Sequence, residues 1–365
     1  MRRWNKMKAI ILCAGKGTRL RPLTFTIAKH LIPIANKPVI YYSLEKIKGV
    51  GIDEVGIVVN NENINDFKNF LGNGERFGLK IEYILQNEPK GLAHAVSMAR
   101  DFIGNDDFLM YLGDNLILDD ISQFVTEFRN DEKLKASILL SPVKDPSRFG
   151  IAIVNEGKIV KVVEKPKDPI SNLAIIGLYL FRNTIFEGID NIKPSWRGEL
   201  EITDAIGYLI EKDYKVKGYI VYGWWKDTGK PEDLIEANRK ILDDSHFKIE
   251  VNGVIDSLSE IQGRVYVGEN TEVINSIIRG PVVIGNNCVI KDSYIGPYTS
   301  VGDGVLIESC ELENSILMDR VKLINLPYPI DSSLIGKNVQ IVNSERKPKA
   351  MKFVIGDMGK VEIVR

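Results

Sequence analysis

Residues 7–22 read MKAIILCAGKGTRLRP, a short apolar run that gives way at once to small residues and two arginines. The run is rich in β-branched side chains and predicts a strand, so Gly15 and Gly17 fall where the strand ends and backbone can approach a ligand. Such a loop suits a phosphate, with backbone amides to receive it and an arginine fork beside it.

Outward from this strand the pattern alternates. Strand-like runs at 7–13, 54–60, 80–86 and 107–114 are separated by helical patterns around 38–49, 62–71 and 91–103. In the last of these, Leu92, Ala95, Val96, Ala99 and Ile103 share one helical face. The alternation predicts an α/β domain with a parallel sheet and helices on both sides. Ligands of such sheets lie beyond the carboxyl ends of the strands, which singles out the loops beginning at Ala14, Gln86 and Gly113.

The second half has a countable period. Val267, Ile284, Val301, Met318 and Ile335 are spaced by 17 residues, as are Val273, Ile290, Ile307, Ile324 and Ile341; Ile278, Ile295 and Leu312 keep the same step. Gly268, Gly285, Gly302 and Gly336 follow the first column, with Asp319 the exception. This predicts a solenoid whose coils each bury one apolar residue at each of three corners. Residues 243–263 read as the connector, and 351–364 as one more hairpin turning between Gly356 and Gly359. Two domains are expected, 1–244 and 245–365, because a single core rarely grows to 365 residues.

With 44% hydrophobic and 27% charged residues and a formal net charge of -1, the composition is globular and offers no global attraction to nucleic acid or to an anionic membrane. Any phosphate binding must be local. Cys13, Cys288 and Cys310 lack the spacing of a zinc site and cannot all pair, which favours a reducing compartment. The opening MRRWNKMKAIILCAG imitates a signal peptide, but its apolar run is short and flows straight into KGTRLRP, so a cytoplasmic location is expected.

The opening loop matches neither common phosphate fingerprint: Walker A spacing is absent, and Leu20 stands where a dinucleotide loop needs its third glycine. Taken alone it reads equally well as a plain strand-to-loop glycine pair. Its company is more specific. In order along the chain come LCAGKGTRLRPLTFTIAKHLIPIANKPVIYY, LQNEPKGLAHA, YLGDN, DPSRFGIA, EKPKDPISNLAIIGLYLF, RGELEITDA and WWKDTGKPEDLIEAN. Across essentially the whole chain these resemble the sugar-1-phosphate nucleotidyltransferases, most closely the long-type glucose-1-phosphate thymidylyltransferases.

The resemblance implies a Rossmann-like nucleotidyltransferase domain with a mostly parallel mixed sheet, followed by a left-handed parallel β-helix. It also implies in-line attack by a sugar 1-phosphate on the α-phosphorus of a nucleoside triphosphate, releasing pyrophosphate. A phosphate dianion needs no general base, so positioning and charge neutralisation should dominate. By this resemblance Leu12, Ala14, Gly15, Gly17 and Thr18 hold the nucleotide, and Arg19 and Lys29 neutralise its phosphates. Asp114 and Asp227 would together ligate Mg²⁺. Gln86 would read the base, a carboxamide matching the acceptor and donor edge of thymine or uracil, and Gly91 lets backbone approach the same ring. Gly150, Glu164, Lys165, Asn172, Gly177 and Arg197 are implied for the sugar phosphate, with Trp224 either lining that pocket or buried in a core. Arg21 reads as solvated; His30 and His94 read as partly exposed and are given no role.

The expected reaction joins dTTP to glucose 1-phosphate, giving dTDP-glucose. UTP is the alternative, since one methyl group is worth only about 1–3 kcal/mol. A catalytically silent nucleotide-sugar-binding subunit is a third reading, disfavoured by the presence of Arg19, Lys29, Asp114, Lys165 and Asp227. No histidine follows His246, so the solenoid lacks the imidazole base that acetyl transfer commonly uses. Assembly into a homo-oligomer, or allosteric binding, is the expectation for it.

Overall fold

The run MKAIIL forms β1 (Met7–Leu12), buried on both faces and paired in parallel with a strand on each side. Ile10 and Ile11 are wholly buried, each contributing roughly 1.5–3 kcal/mol by leaving water. The computed structural model describes residues 7–244, 250–343 and 351–362. The basic opening, residues 245–249 of the expected connector and the last residues of the expected hairpin lie outside these.

Two compact units result: residues up to Lys16 together with Ile40–Asp227, and Gly17–Val39 together with the chain from Thr228 onward. The short strands β2 (Pro33–Ile34) and β3 (Lys37–Pro38) pair with each other in the second unit. The first unit contains β4 (Glu54–Val59), β5 (Lys80–Leu85), β6 (Asp107–Leu112), β7 (Asn115–Ile117), β8 (Leu134–Pro142), β9 (Gly150–Asn155), β10 (Lys158–Glu164), β11 (Leu173–Phe181), β12 (Lys215–Ile220) and β13 (Trp225–Asp227). Nine of its strands form one mixed sheet in the order β5-β4-β1-β6-β11-β8-β12-β10-β9. The first four are parallel, as the alternation predicted. Antiparallel pairing enters where β11 meets β6.

Helices α1 (Val39–Gly49), α2 (Ile64–Leu71) and α3 (Leu92–Met98) fall on the expected stretches. The third pattern is broken at Ala99, and α4 (Arg100–Ile103) continues it. Val96, Ala99 and Ile103 still enter the core formed by Ile10, Val58 and Phe108.

In the second unit the chain visits three parallel sheets in turn, of six, six and four strands. This fits a parallel β-helix. Val267 pairs with Ile284 and Ile284 with Val301, but Val301 then pairs with Leu317, and Leu317 with Ile335. The step is therefore 16 residues and then 18, and Leu317, not Met318, occupies the column. In the second column Leu323 likewise replaces Ile324. A shortened corner between Leu312 and Leu317 is compensated by a longer loop before Ile330, so the sequence period looks unbroken. Corner residues Asn270 and Asn287, and Asn275 and Asp292, take left-handed φ, which short polar side chains tolerate. Residues 351–362 form a turn at Gly356–Gly359 with no paired strands among them; they are exposed, and no buried face stabilises a ladder there.

Candidate active site

Beyond β1 the loop is held from the side by two asparagines. Asn60 Nδ2 donates to Ala14 O at 2.8 Å and Asn63 Nδ2 to Cys13 O at 3.1 Å, while each side-chain oxygen accepts from the other's backbone N–H. Leu12 and Ala14 are buried and Gly15 is exposed. Gly17, at φ 62°, opens a 3₁₀ turn over Thr18–Leu20. A Cβ on Gly17 would lie 3.1 Å from both Lys29 Cβ and Thr24 Cγ2, and Thr24 Oγ1 donates to Gly17 O at 2.8 Å. Glycine at 17 thus brings the stem of Lys29 against the loop. Arg19 is exposed and Lys29 half-buried, both in the second compact unit. Arg21, read as solvated, stacks on Phe25 at 4.8 Å, and His30 is buried.

Gln86 follows β5 and is buried. Its Nε2 donates to His94 Nδ1 at 2.9 Å and makes a longer contact of 3.4 Å with Gly91 O. Both amide protons are therefore directed within the chain, which leaves Oε1 as the group offered to a ligand. Burial, then the Lys90 ammonium, lower the pKa of His94, and Glu88 opposes them. The ring is kept neutral and able to accept. His94, given no role from the sequence, thus fixes the carboxamide. Gly91 has φ 105°, and a Cβ there would meet Leu200 O at 2.4 Å. Crossing backbone, with Ala93 N donating to Leu200 O and Leu200 N to Lys90 O, requires this glycine.

Asp114 and Asp227 come from β-strand termini that face each other. β13 pairs antiparallel with β7 so that Asp227 is the partner of Asn115, one residue from Asp114. Asn115, buried, donates from Nδ2 to Asp114 Oδ1 at 2.9 Å and accepts from Trp225 Nε1 at 2.6 Å. A Cβ on Gly177 would lie 2.6 Å from Asn115 Cγ. Gly177 makes room for Asn115, which the sequence reading did not single out although it stands in the quoted YLGDN. Trp225, which the sequence reading did not single out, has its ring edge-to-face with Phe149 at 5.4 Å. Trp224 is half-buried. Two neighbouring carboxylates offer hard oxygen donors of the kind that bind Mg²⁺ along with substrate phosphate oxygens. Among the described residues no group of three His, Cys, Asp or Glu forms a fuller ligand set.

A second cluster surrounds Glu164 at the end of β10. Burial raises its pKa, against the opposing pull of Lys165 and Arg197. Thr203 Oγ1 donates to Glu164 Oε2 at 3.2 Å, and a Cβ on Gly150 would press on both side chains, at 2.8 and 3.0 Å. Lys165 adopts φ 40°, a left-handed conformation costing about 1–3 kcal/mol in a non-glycine residue. Arg197 is ringed by carboxylates: Glu199 at 3.1 Å, Glu201 at 3.2 Å and Glu164 at 3.8 Å. Glu201 is itself buried and accepts from Ser195 Oγ. Asn172 is exposed in the loop before β11.

The first unit thus gathers Glu164, Lys165, Arg197 and Gly150 in one cluster and Asp114, Asp227 and Gly177 in another. Gly91, whose carbonyl contacts Gln86, packs against the irregular backbone at Leu200. Residues 8–244 match the nucleotidyl transferase family model. The glucose-1-phosphate thymidylyltransferase of Streptomyces antibioticus is 47% identical over 358 residues, covering 98% of this chain and 99% of that protein. A Bacillus anthracis structure described as a glucose-1-phosphate thymidylyltransferase, solved with sucrose, superposes with a TM-score of 0.62 at 40% identity over 66% of this chain and 98% of its own. A UDP-glucose pyrophosphorylase solved with UDP-glucose gives a TM-score of 0.57 at 30% identity over 64% and 98%. A family match that begins inside β1 and runs on past β13, joined to near-half identity along a full-length relative, means that this chain belongs to the nucleotidyl transferase family.

Proposed function

We propose that the protein transfers a thymidylyl group from dTTP to glucose 1-phosphate, giving dTDP-glucose and pyrophosphate. The observation that carries the reading is its 47% identity, over 98% of the chain, to a protein of that activity. The site chemistry agrees with it. Gln86 Oε1 accepts the N3–H of thymine while His94 holds the amide group. Asp114 and Asp227 would hold Mg²⁺, which when bound supplies charge neutralisation at the phosphates. Arg19 and Lys29 neutralise the α-phosphate and the departing pyrophosphate. Glu164 accepts sugar hydroxyls, and Lys165 and Arg197 bind the sugar phosphate. Arg197 has donors enough to keep Glu201 while turning others to the phosphate.

In this reading residues 1–244 are the catalytic domain, a boundary supported by the end of the family match at 244. Residues 245–365 are the second domain, whose coils from Glu250 to Val342 are read as a left-handed β-helix serving assembly into a homo-oligomer. No helix among the described residues is long and apolar enough to cross a membrane. None of the three cysteines forms a disulfide, in keeping with a cytoplasmic setting.

Pyrophosphate release with Mg²⁺, crossing dTTP, UTP, ATP, GTP and CTP against glucose, N-acetylglucosamine and mannose 1-phosphates, tests the proposal. Highest release with dTTP and glucose 1-phosphate supports it. A UTP preference moves the reading to uridylyl transfer, which the likeness to a UDP-glucose pyrophosphorylase favours.

A further inference from the structure

The segment Gly17–Val39 carries Arg19 and Lys29, yet it is compact with the solenoid half of the chain. Its fastening is specific. Ala35 N–H donates to Asn238 Oδ1 at 2.8 Å, and the Ser300 hydroxyl donates to the same oxygen at 2.6 Å. Asn238 Nδ2 donates to Tyr298 O at 2.9 Å. Asn238 and Ser300 are both buried, so one carboxamide on the helix Pro231–Leu242 joins the loop to a solenoid coil out of water's reach. The neighbouring Asn36 donates from Nδ2 to Val301 O at 2.6 Å. Ala35, Leu242 and Val283 form a small apolar cluster around this point.

The joint holds the loop in an unfavourable backbone conformation. Ala35 and Asn36 have φ of 47° and 60°, forming the turn between β2 and β3. Lys29 is six residues upstream, linked to this turn by a 3₁₀ turn in which Ile32 N donates to Lys29 O; Val39 N in turn donates to Ile32 O. A buried amide with its oxygen and nitrogen both engaged can sustain such a turn, because every alternative leaves polar groups unpaired.

We propose that Asn238 is a positioning residue for nucleotidyl transfer, and that the coil at Tyr298–Val301 sets the conformation in which the loop presents Arg19 and Lys29. The inference rests on the roles given above to Arg19 and Lys29.

The test compares Asn238→Ala, Ser300→Ala and Asn36→Gly in the full chain, by amide hydrogen exchange and by kcat and KM for each substrate. Asn36→Gly keeps the positive φ and removes only the bond to Val301. In Asn238→Ala the expected result is exchange at least about tenfold faster across 29–39, with β1, β4 and β6 unchanged. The kcat should fall about tenfold or more while KM for the nucleotide moves less than about threefold. A general loss of stability would instead accelerate exchange throughout. Should Asn238→Ala fail to fold, Asn36→Gly and Ser300→Ala are expected to show the same split at smaller size. Folded variants with wild-type exchange over 29–39 and wild-type kcat would overturn the proposal. If exchange responds but the wild-type protein releases no pyrophosphate from any substrate pair, it is the functional reading of Arg19 and Lys29 that fails, and the catalytic role of Asn238 with it.

Discussion

Gln86 and His94 share a hydrogen bond of 2.9 Å from Nε2 to Nδ1, one helical turn into the segment that begins at Gly91. The bond exists only while the ring is neutral at Nδ1. Burial and Lys90 lower the His94 pKa, so the acceptor is intact at neutral pH. As pH falls below the ordinary histidine range the ring takes up a proton, Nδ1 becomes a donor, and the carboxamide must turn. The KM for dTTP should therefore rise on the acid side. The same sign holds for stability: a depressed folded pKa gives a contribution complete above the unfolded value and lost as pH falls. His94→Ala should raise KM at neutral pH by roughly five- to tenfold, the worth of about one hydrogen bond, and flatten the acid limb of its pH profile. An unaltered acid limb would dismiss His94 as the group responsible.

Gln86→Glu should weaken thymine and uracil nucleotides alike. A carboxylate cannot donate to His94 or to Gly91 O, and it adds a negative charge near Glu88. Comparing KM for dTTP, UTP and GTP checks this; an unchanged order of preference would remove Gln86 from base reading.

Asn115 lies between Gly177, Asp114 and Trp225, so Gly177→Ala and Asn115→Ala should act through one another. Gly177→Ala drives a methyl group to 2.6 Å from Asn115 Cγ and should displace the side chain that holds Asp114. Each single substitution is expected to lower kcat about tenfold, and the double mutant to be no worse than the worse single. Additive losses would mean that the two residues act independently.

Asp114→Asn should abolish turnover while nucleotide binding weakens far less, because the charge matters most in the transition state. Equilibrium dTTP binding in the presence of Mg²⁺, set beside turnover, separates the two effects.

Gly91→Ala should destabilise the first unit. Backbone strain at φ 105° costs on the order of 1–3 kcal/mol, and the approach of Leu200 O adds to it. A lowered Tm in thermal unfolding is the readout, and an unchanged Tm would show that the 86–93 loop yields to the methyl group without cost.

The strands at Met7–Leu12, Glu54–Val59, Lys80–Leu85 and Asp107–Leu112, and their parallel sense, were legible because an apolar run between helical periods has few other ways to bury itself. The 17-residue coil was legible for the same reason, since stacked corners demand a recurring apolar position. The shift to Leu317 and Leu323 was not: a deletion and a later insertion cancel in the spacing, and only hydrogen-bond register distinguishes them.

The site divides in the same way. Residue types settled the chemistry on offer, with carboxylates at 114 and 227, a carboxamide at 86 and cations at 19, 29, 165 and 197. Their orientation was decided by particular hydrogen-bond partners: His94 for Gln86, Glu201 for Arg197, Asn115, itself held by the distant Trp225, for Asp114, and the distant Asn238 for the loop that carries Lys29. A side chain's chemistry is written in its own identity and local pattern. Which of its atoms is left for a ligand depends on how its partners are turned, and that is fixed only by contacts made in the folded chain, such as Trp225 on Asn115.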